Sequence, residues 1–232
     1  MIEIRPFASL GGTSHDWLET HHHFSFDRYV DRDRMSWGAL RVWNDDVMAP
    51  DSGFPPHPHR DMEIITYVRS GAISHRDSLG NEGRTAAGDV QVMSAGSGIV
   101  HSEHNHENIE NEIFQIWIHP DERGGHPSWG TARFPTADRA GQLVTLASGR
   151  KQDTDALPIR ADAQVLGATL KAGTSVEHRT SPDRHVYLVP ASGKVAIDGK
   201  TVNARDGAAI TGHETITITA LEDSEIVVAD TK

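Results

Sequence analysis

The chain reads as an all-β protein built from two domains, and three observations say so. Short segments of alternating apolar and polar residues, rich in Val, Ile, Thr and aromatics, recur along the whole length. Clusters of Gly, Asn, Asp and Pro interrupt them at short intervals, as in Asp77-Ser78-Leu79-Gly80-Asn81-Glu82-Gly83. No stretch sustains the 3.6-residue apolar repeat of a helix.

Taken in order, Leu40 to Trp43, Glu63 to Val68, Val90 to Met93 and Ile113 to Ile118 are the strands expected of a first domain, residues 1–136. A looser polar stretch from Ala137 to Arg160 then begins a second domain, residues 137–232. Its expected strands are Val165 to Leu170, Val186 to Val189, Lys194 to Ile197, Thr215 to Thr219 and Ile226 to Ala229. Within it, Val195 to Val202 reads as a hairpin, with Asp198-Gly199 suited to a type I′ turn. Both halves set Gly and Asp before an apolar strand (Gly88-Asp89-Val90; Asp206-Gly207-Ala208), which suggests a shared plan.

Composition narrows the function classes. At 232 residues the chain can bury a substantial core. A net charge of −11, with no useful run of Lys or Arg, argues against a nucleic-acid-binding face. Cysteine is absent, so a bound metal must be held by nitrogen and oxygen ligands. The N-terminal Met1 to Pro6 has no apolar leader, and no segment approaches membrane-spanning length. The expectation is a soluble cytoplasmic protein without membrane contact.

Fifteen histidines are present, and their spacing is informative. His57-Pro58-His59 and His101-Ser102-Glu103 each place two potential ligands at i, i+2. On a strand that spacing puts both side chains on one face. Two such strands brought together would converge three imidazoles and a carboxylate on one point. Imidazole suits Fe, Ni, Cu or Zn, and a carboxylate hardens the site toward Fe. Four protein ligands would leave open positions, the mark of a catalytic centre. Glu63 is a rival for the fourth place: four residues beyond His59, on a regular strand it would face the same side.

The run Gly53-Phe54-Pro55-Pro56-His57-Pro58-His59-Arg60-Asp61-Met62-Glu63, with Gly71, resembles the first cupin motif. Gly88-Asp89-Val90 through Gly96-Ser97-Gly98-Ile99-Val100-His101 resembles the second. More narrowly, Gly53 to His59, Gly88 to Met93 and Ala95 to Glu103 resemble the pirin family, a bicupin group that includes bacterial quercetinase-like proteins. The likeness is dense over residues 30–125 and thin beyond. It implies two jelly-roll β-barrels, with the metal in the first held by His57, His59, His101 and Glu103, and it favours Glu103 over Glu63. Glu63 would then orient a ligand or be a polar strand residue. One departure is Asp61, where the family pattern has Gly; it would add a carboxylate near the metal.

The remaining histidines take plainer readings. His104 and His106 are expected on a loop facing solvent, His21-His22-His23 in a polar loop or partner-contacting edge, and His75 at a turn with a structural role. His119 is expected near the barrel rim. Glu177-His178 and His185 are too sparse to rebuild a motif, so the second domain is expected to lack metal and to support the first. Trp37, Trp43, Trp117 and Trp129 read either as core or as an aromatic mouth for a flat ligand.

The resemblance implies a metal-dependent dioxygenase that cleaves quercetin-like flavonols with O2. Its expected cofactor is one divalent transition metal, Fe(II) first, with Ni, Mn, Co, Cu or Zn as alternatives. Glu103 would serve as ligand and as catalytic base. The competing class is a non-enzymatic, metal-bound regulator or redox sensor that binds a protein partner; the family also suggests a monomer.

Overall fold

The computed structural model describes residues 1–134 and 137–232, so the domain boundary expected at residue 136 falls outside the described residues. Among the described residues there are 22 strands and one short 3-10 turn, Phe7–Ser9. They form two units of the same plan, each a seven-stranded sheet facing a four-stranded one. The shared Gly/Asp pattern of the two halves anticipated this repetition.

In the first unit the large sheet runs, in spatial order, Ser128–Ala132, Val90–Ser94, Glu63–Ser70, Asn111–Ile118, Leu40–Met48, Leu18–His22, Gly11–Ser14. The small sheet runs Ser52–His59, Ile99–Asn105, Ala72–Asp77, Glu82–Ala86. Ser52–His59 lies at the sheet's edge, which suits its three prolines, since proline has no N–H to give a ladder. In the second unit the first strand of the chain, Ile2–Arg5, pairs with Gly207–Ile210. The N-terminus therefore completes the second unit's large sheet. We treat the division at residues 136 and 137 as a proposal about folding units, with this strand lent across it.

The two large sheets pack against each other. Trp43, Ile65, Tyr67, Phe114 and Ile116 of the first share one core with Val165, Tyr187, Val189, Val227 and Ala229 of the second. The central strands are thus buried on both faces, which is why they read as nearly continuous apolar runs. Asp45, fully buried, is held between Arg69 of its own unit (2.5 Å) and Arg205 of the other (2.6 Å). The pairing keeps a desolvated carboxylate compensated and ties the units together.

The barrel interiors differ. The second is filled by Val, Ile, Leu and Ala side chains such as Val176, Leu188, Val195, Ile197, Ile216 and Ile218. In the first, two small apolar clusters, one around Met48 and Ile113 and one around Ile64 and Met93, occupy the ends. Buried Thr66, Gln91, His101, Glu103 and Gln115 belong to neither cluster. Burying such groups costs free energy unless each finds a partner, so this unit is built around something other than packing.

Several elements depart from expectation. The strand expected at Leu40 to Trp43 continues to Met48 through the polar run Asn44-Asp45-Asp46. Each finds a buried partner: Asn44 bonds His22, Asp45 the two arginines, Asp46 the Thr20 hydroxyl. The stretch Ala137 to Arg160 contains strands Val144–Ser148 and Leu157–Pro158. The Asp198-Gly199 turn has positive φ at both residues, 48° and 77°, as a type I′ hairpin requires.

Candidate metal centre

His57 and His101 are directly opposed on neighbouring strands, Ser52–His59 and Ile99–Asn105. A register shift between His101 and Glu103 then sets Glu103 opposite Phe54. Such a bulge re-aims side chains locally, as bulges beside functional sites do. Gly53 permits the close approach: a Cβ there would meet the Glu103 carbonyl oxygen at 2.2 Å. The ring nitrogens of His57, His59 and His101 come within 4.8 Å of one another. A second cluster joins Glu103 to His101 and His75, sharing His101 with the first.

The hydrogen bonds fix the tautomers. His57 Nδ1 lies 2.8 Å from the Pro55 carbonyl oxygen, which can only accept, so Nδ1 carries a proton and Nε2 is the nitrogen turned toward the cluster. His75 Nε2 donates to Asp77 at 3.1 Å, leaving His75 Nδ1 to accept from His101 Nδ1 at 3.3 Å. His101 Nε2 is then bare. It faces His57 Nε2 at 3.0 Å. Two imidazole nitrogens brought this close on converging rings can share one cation. The donor set fits a first-row divalent ion.

Electrostatics point the same way. Burial, then the neighbouring His57, pushes His101 down to about 2 and His59 down to about 4. Both imidazoles are therefore neutral, the form that ligates metal. Glu103 is 1% exposed, and burial pushes its carboxyl up to about 7 despite three donors. Those donors are Gln91 Nε2 (2.8 Å), Gln115 Nε2 (2.7 Å) and the Thr66 hydroxyl (3.4 Å). A nearby cation would favour its ionised form.

The three histidines and Glu103 do not form a single group. The imidazoles converge, while Glu103 falls outside their group and lines the same cavity as His57 and His59. That cavity measures about 170 Å³. Leu18, Phe26, Phe54 and Trp117 form its apolar walls, and Thr20, Asn44, Asp46 and Gln115 its remaining polar ones.

Glu63 stands elsewhere. The chain turns at Arg60-Asp61-Met62, and Glu63 opens a strand of the opposite sheet, where it accepts from Ser94 Oγ at 2.5 Å. The regular strand that would have kept it beside His59 does not exist. Asp61 sits in that turn with φ of 49°, a left-handed conformation Gly takes freely and Asp tolerates. Its carboxylate accepts from the Gly124 N–H at 2.6 Å and joins neither cluster, so it does not add the expected negative charge to the site.

His75 is the residue the sequence reading placed least well. It lies within strand Ala72–Asp77, buried, stacked on Trp129 at 4.7 Å and supporting His101. Alternation around buried Ile73 and Asp77 was the available signal. Gln91, Thr66 and Gln115 were likewise missed; each is a lone polar residue inside an apolar strand. His21 is half-buried, His22 bonds Asn44, and His23 is buried against Tyr187 OH of the second unit, so this tract is strand and interface rather than loop. His104 is half-buried on strand Ile99–Asn105 and stacks with exposed His106 beyond its end, at 4.2 Å. Trp43 is core, whereas Trp117 stands edge-on to His59 at 5.0 Å.

Replacing His75 with Phe keeps a ring against Trp129 but removes the acceptor that orients His101. We expect metal affinity to fall about 10–100-fold with the fold intact, read by competition with a chelator. Unchanged affinity would mean that His101 needs no such support.

A small β-barrel whose interior is opened around three converging imidazoles, coupled to a second barrel packed solid, defines a two-domain cupin. Comparison with known proteins then gives the family. The Pirin family model matches residues 4–118, and the model of the quercetinase C-terminal cupin domain matches residues 145–231. A pirin-like protein of Caulobacter vibrioides is 63% identical over 230 residues, 99% of each chain. A quercetin 2,3-dioxygenase of Escherichia coli is 39% identical over 231 residues, 99% of this chain and 98% of the other. The crystal structure of the bacterial pirin YhhW from Escherichia coli in complex with nickel(II) matches with a TM-score of 0.93 and 37% identity, covering 100% and 99% of the two chains. The chain belongs to the pirin family.

Proposed function

We propose that the protein is a metal-dependent dioxygenase of the quercetinase type, with His57, His59, His101 and Glu103 as the metal ligands. The observation that carries this reading is the convergence of the His57, His59 and His101 ring nitrogens within 4.8 Å of one another, beside an apolar-walled cavity. When bound, a divalent ion would supply Lewis-acid binding of a substrate hydroxyl and a redox route for O2. We take Fe(II) as the expected metal; the nickel complex of the Escherichia coli relative makes Ni the first alternative.

The chain's own groups do the rest. Pro55 and His75 hold two imidazoles in the required tautomer. Gln91 and Gln115 fix the Glu103 carboxylate by one oxygen each, so it meets a ligand without reorganising. Phe26, Phe54 and Trp117 exclude water and give flat surfaces against which an aromatic ring packs. The cavity, about 170 Å³, is smaller than the roughly 300–1,000 Å³ of a pocket that encloses a drug-sized ligand. Only the hydroxy-ketone end of a three-ring flavonol enters it.

The test is turnover of quercetin by Fe(II)- and Ni(II)-loaded protein, in air and without O2. We expect turnover in air and none without O2. Turnover with neither metal, together with capture of a protein partner that depends on the metal's oxidation state, would replace this reading with the regulatory one.

A further inference from the structure

The cavity has a second polar wall that the metal ligands do not use. It comes from the opposite sheet, where strands Leu18–His22 and Leu40–Met48 pair Thr20 with Asp46 and His22 with Asn44. Asp46 is 2% exposed and lines the same cavity as His57, His59 and Glu103. Its Oδ1 accepts the Thr20 hydroxyl proton. Among the described residues no cation pairs with it; Arg69 and Arg205 go to Asp45 on the other face of the strand. A buried carboxylate with one hydroxyl donor and no counter-charge is costly to keep, and packing gives no reason for it.

We propose that Asp46 is a catalytic carboxylate of this site, accepting the proton of a substrate hydroxyl and returning it to the product. The proposal rests on the dioxygenase reading and extends it. In the forward step the substrate's O–H bond breaks, its electron pair stays on the substrate oxygen, and a new O–H bond forms on Asp46 Oδ2. Oδ1 keeps its bond from Thr20. The substrate class is then a compact vicinal hydroxy-ketone or enediol, which turns one oxygen to the histidines and the other to Asp46.

The surroundings suit the role. Burial pushes Asp46 up to about 7, repulsion from Asp45 and Glu103 adds to this, and Thr20 and Arg69 pull it back. From the small sheet the facing groups are His57, His59 and Glu103; from Leu18–His22, His22 lies behind Thr20, which is 3.5 Å from its Nδ1. Gln115, from Asn111–Ile118, is neutral. A bound cation would favour the ionised form of Asp46, the form that accepts a proton.

The experiment compares metal-loaded wild type, Asp46→Asn and Thr20→Val, with quercetin as the probe. Metal content, anaerobic quercetin binding by absorbance, and aerobic kcat/KM are each followed against pH. Asp46→Asn should keep its metal and lose about 10²–10⁴ in kcat/KM, together with the acid limb of the profile. Thr20→Val removes a donor to the ionised form, so the acid limb should move to higher pH with its plateau retained. The same alkaline shift should mark ionisation of bound quercetin without O2. Unchanged turnover in Asp46→Asn overturns the proposal, as does a Thr20→Val limb that stays in place. If Asp46→Asn fails to fold or loses its metal, Thr20→Val alone decides. If wild type binds quercetin but never turns it over, the dioxygenase reading falls, and the anaerobic shift in Thr20→Val still decides on Asp46.

Discussion

Replacing His101 with alanine is expected to abolish specific metal binding and, with it, quercetin turnover. His101 is the residue common to both ligand clusters, and its two ring nitrogens face His57 and His75. Its loss should exceed the roughly 10–100-fold penalty of removing an outer partner such as His75. The check is thermal. Metal that binds the folded state raises Tm in wild type according to its affinity. The variant should melt at one temperature with or without Fe(II) or Ni(II). A metal-dependent rise in the variant would show that the ion is held elsewhere.

Glu103→Gln tests whether the site needs the charge of this carboxylate. The introduced amide preserves the shape of the side chain and still accepts from Gln91 or Gln115, but it cannot ionise. Turnover should be lost while some metal is retained on the three imidazoles; unchanged turnover would remove Glu103 from the chemistry. The metal-free proteins should also differ in their dependence on pH. The folded Glu103 carboxyl is raised to about 7 by burial, above the unfolded value near 4.5. The folded state therefore holds the proton more tightly. Its contribution is fully present below about 4.5 and is lost as pH rises through about 7. Relative to Glu103→Gln, metal-free wild type should lose up to about 3 kcal/mol across that window, on the order of 6–12 °C in Tm. Comparing the two proteins cancels the opposing acid-side effect of neutral His59 and His101. Bound metal should remove the difference, because it favours the ionised carboxylate. Parallel melting curves without metal would mean that Glu103 titrates normally.

Much of the fold was legible because strand periodicity is local. Glu63–Ser70 and Asn111–Ile118 announce themselves by β-branched and aromatic runs, and the Asp198-Gly199 turn by its two residues. The convergence of His57, His59 and His101 was legible for the same reason, since two i, i+2 pairs on strands need only one pairing to meet. The segments misread were those in which polar residues sit inside strands. The strand expected to end at Trp43 runs on through Asn44-Asp45-Asp46 because His22, Arg69, Arg205 and Thr20 are brought to these residues from distant parts of the chain.

The sequence by itself determined an all-β chain of two units, a cysteine-free set of candidate nitrogen and oxygen ligands, and the strands that carry them. Only the tertiary structure decided that Glu63 is carried to the opposite sheet, that Asp61 turns to Gly124, and that His75 supports His101. It also brought Asp46 into the cavity facing the histidines. The reason is physical. The face on which a strand residue lies follows from its neighbours in sequence, whereas the partner of a buried polar group is set by pairing between strands far apart in the chain.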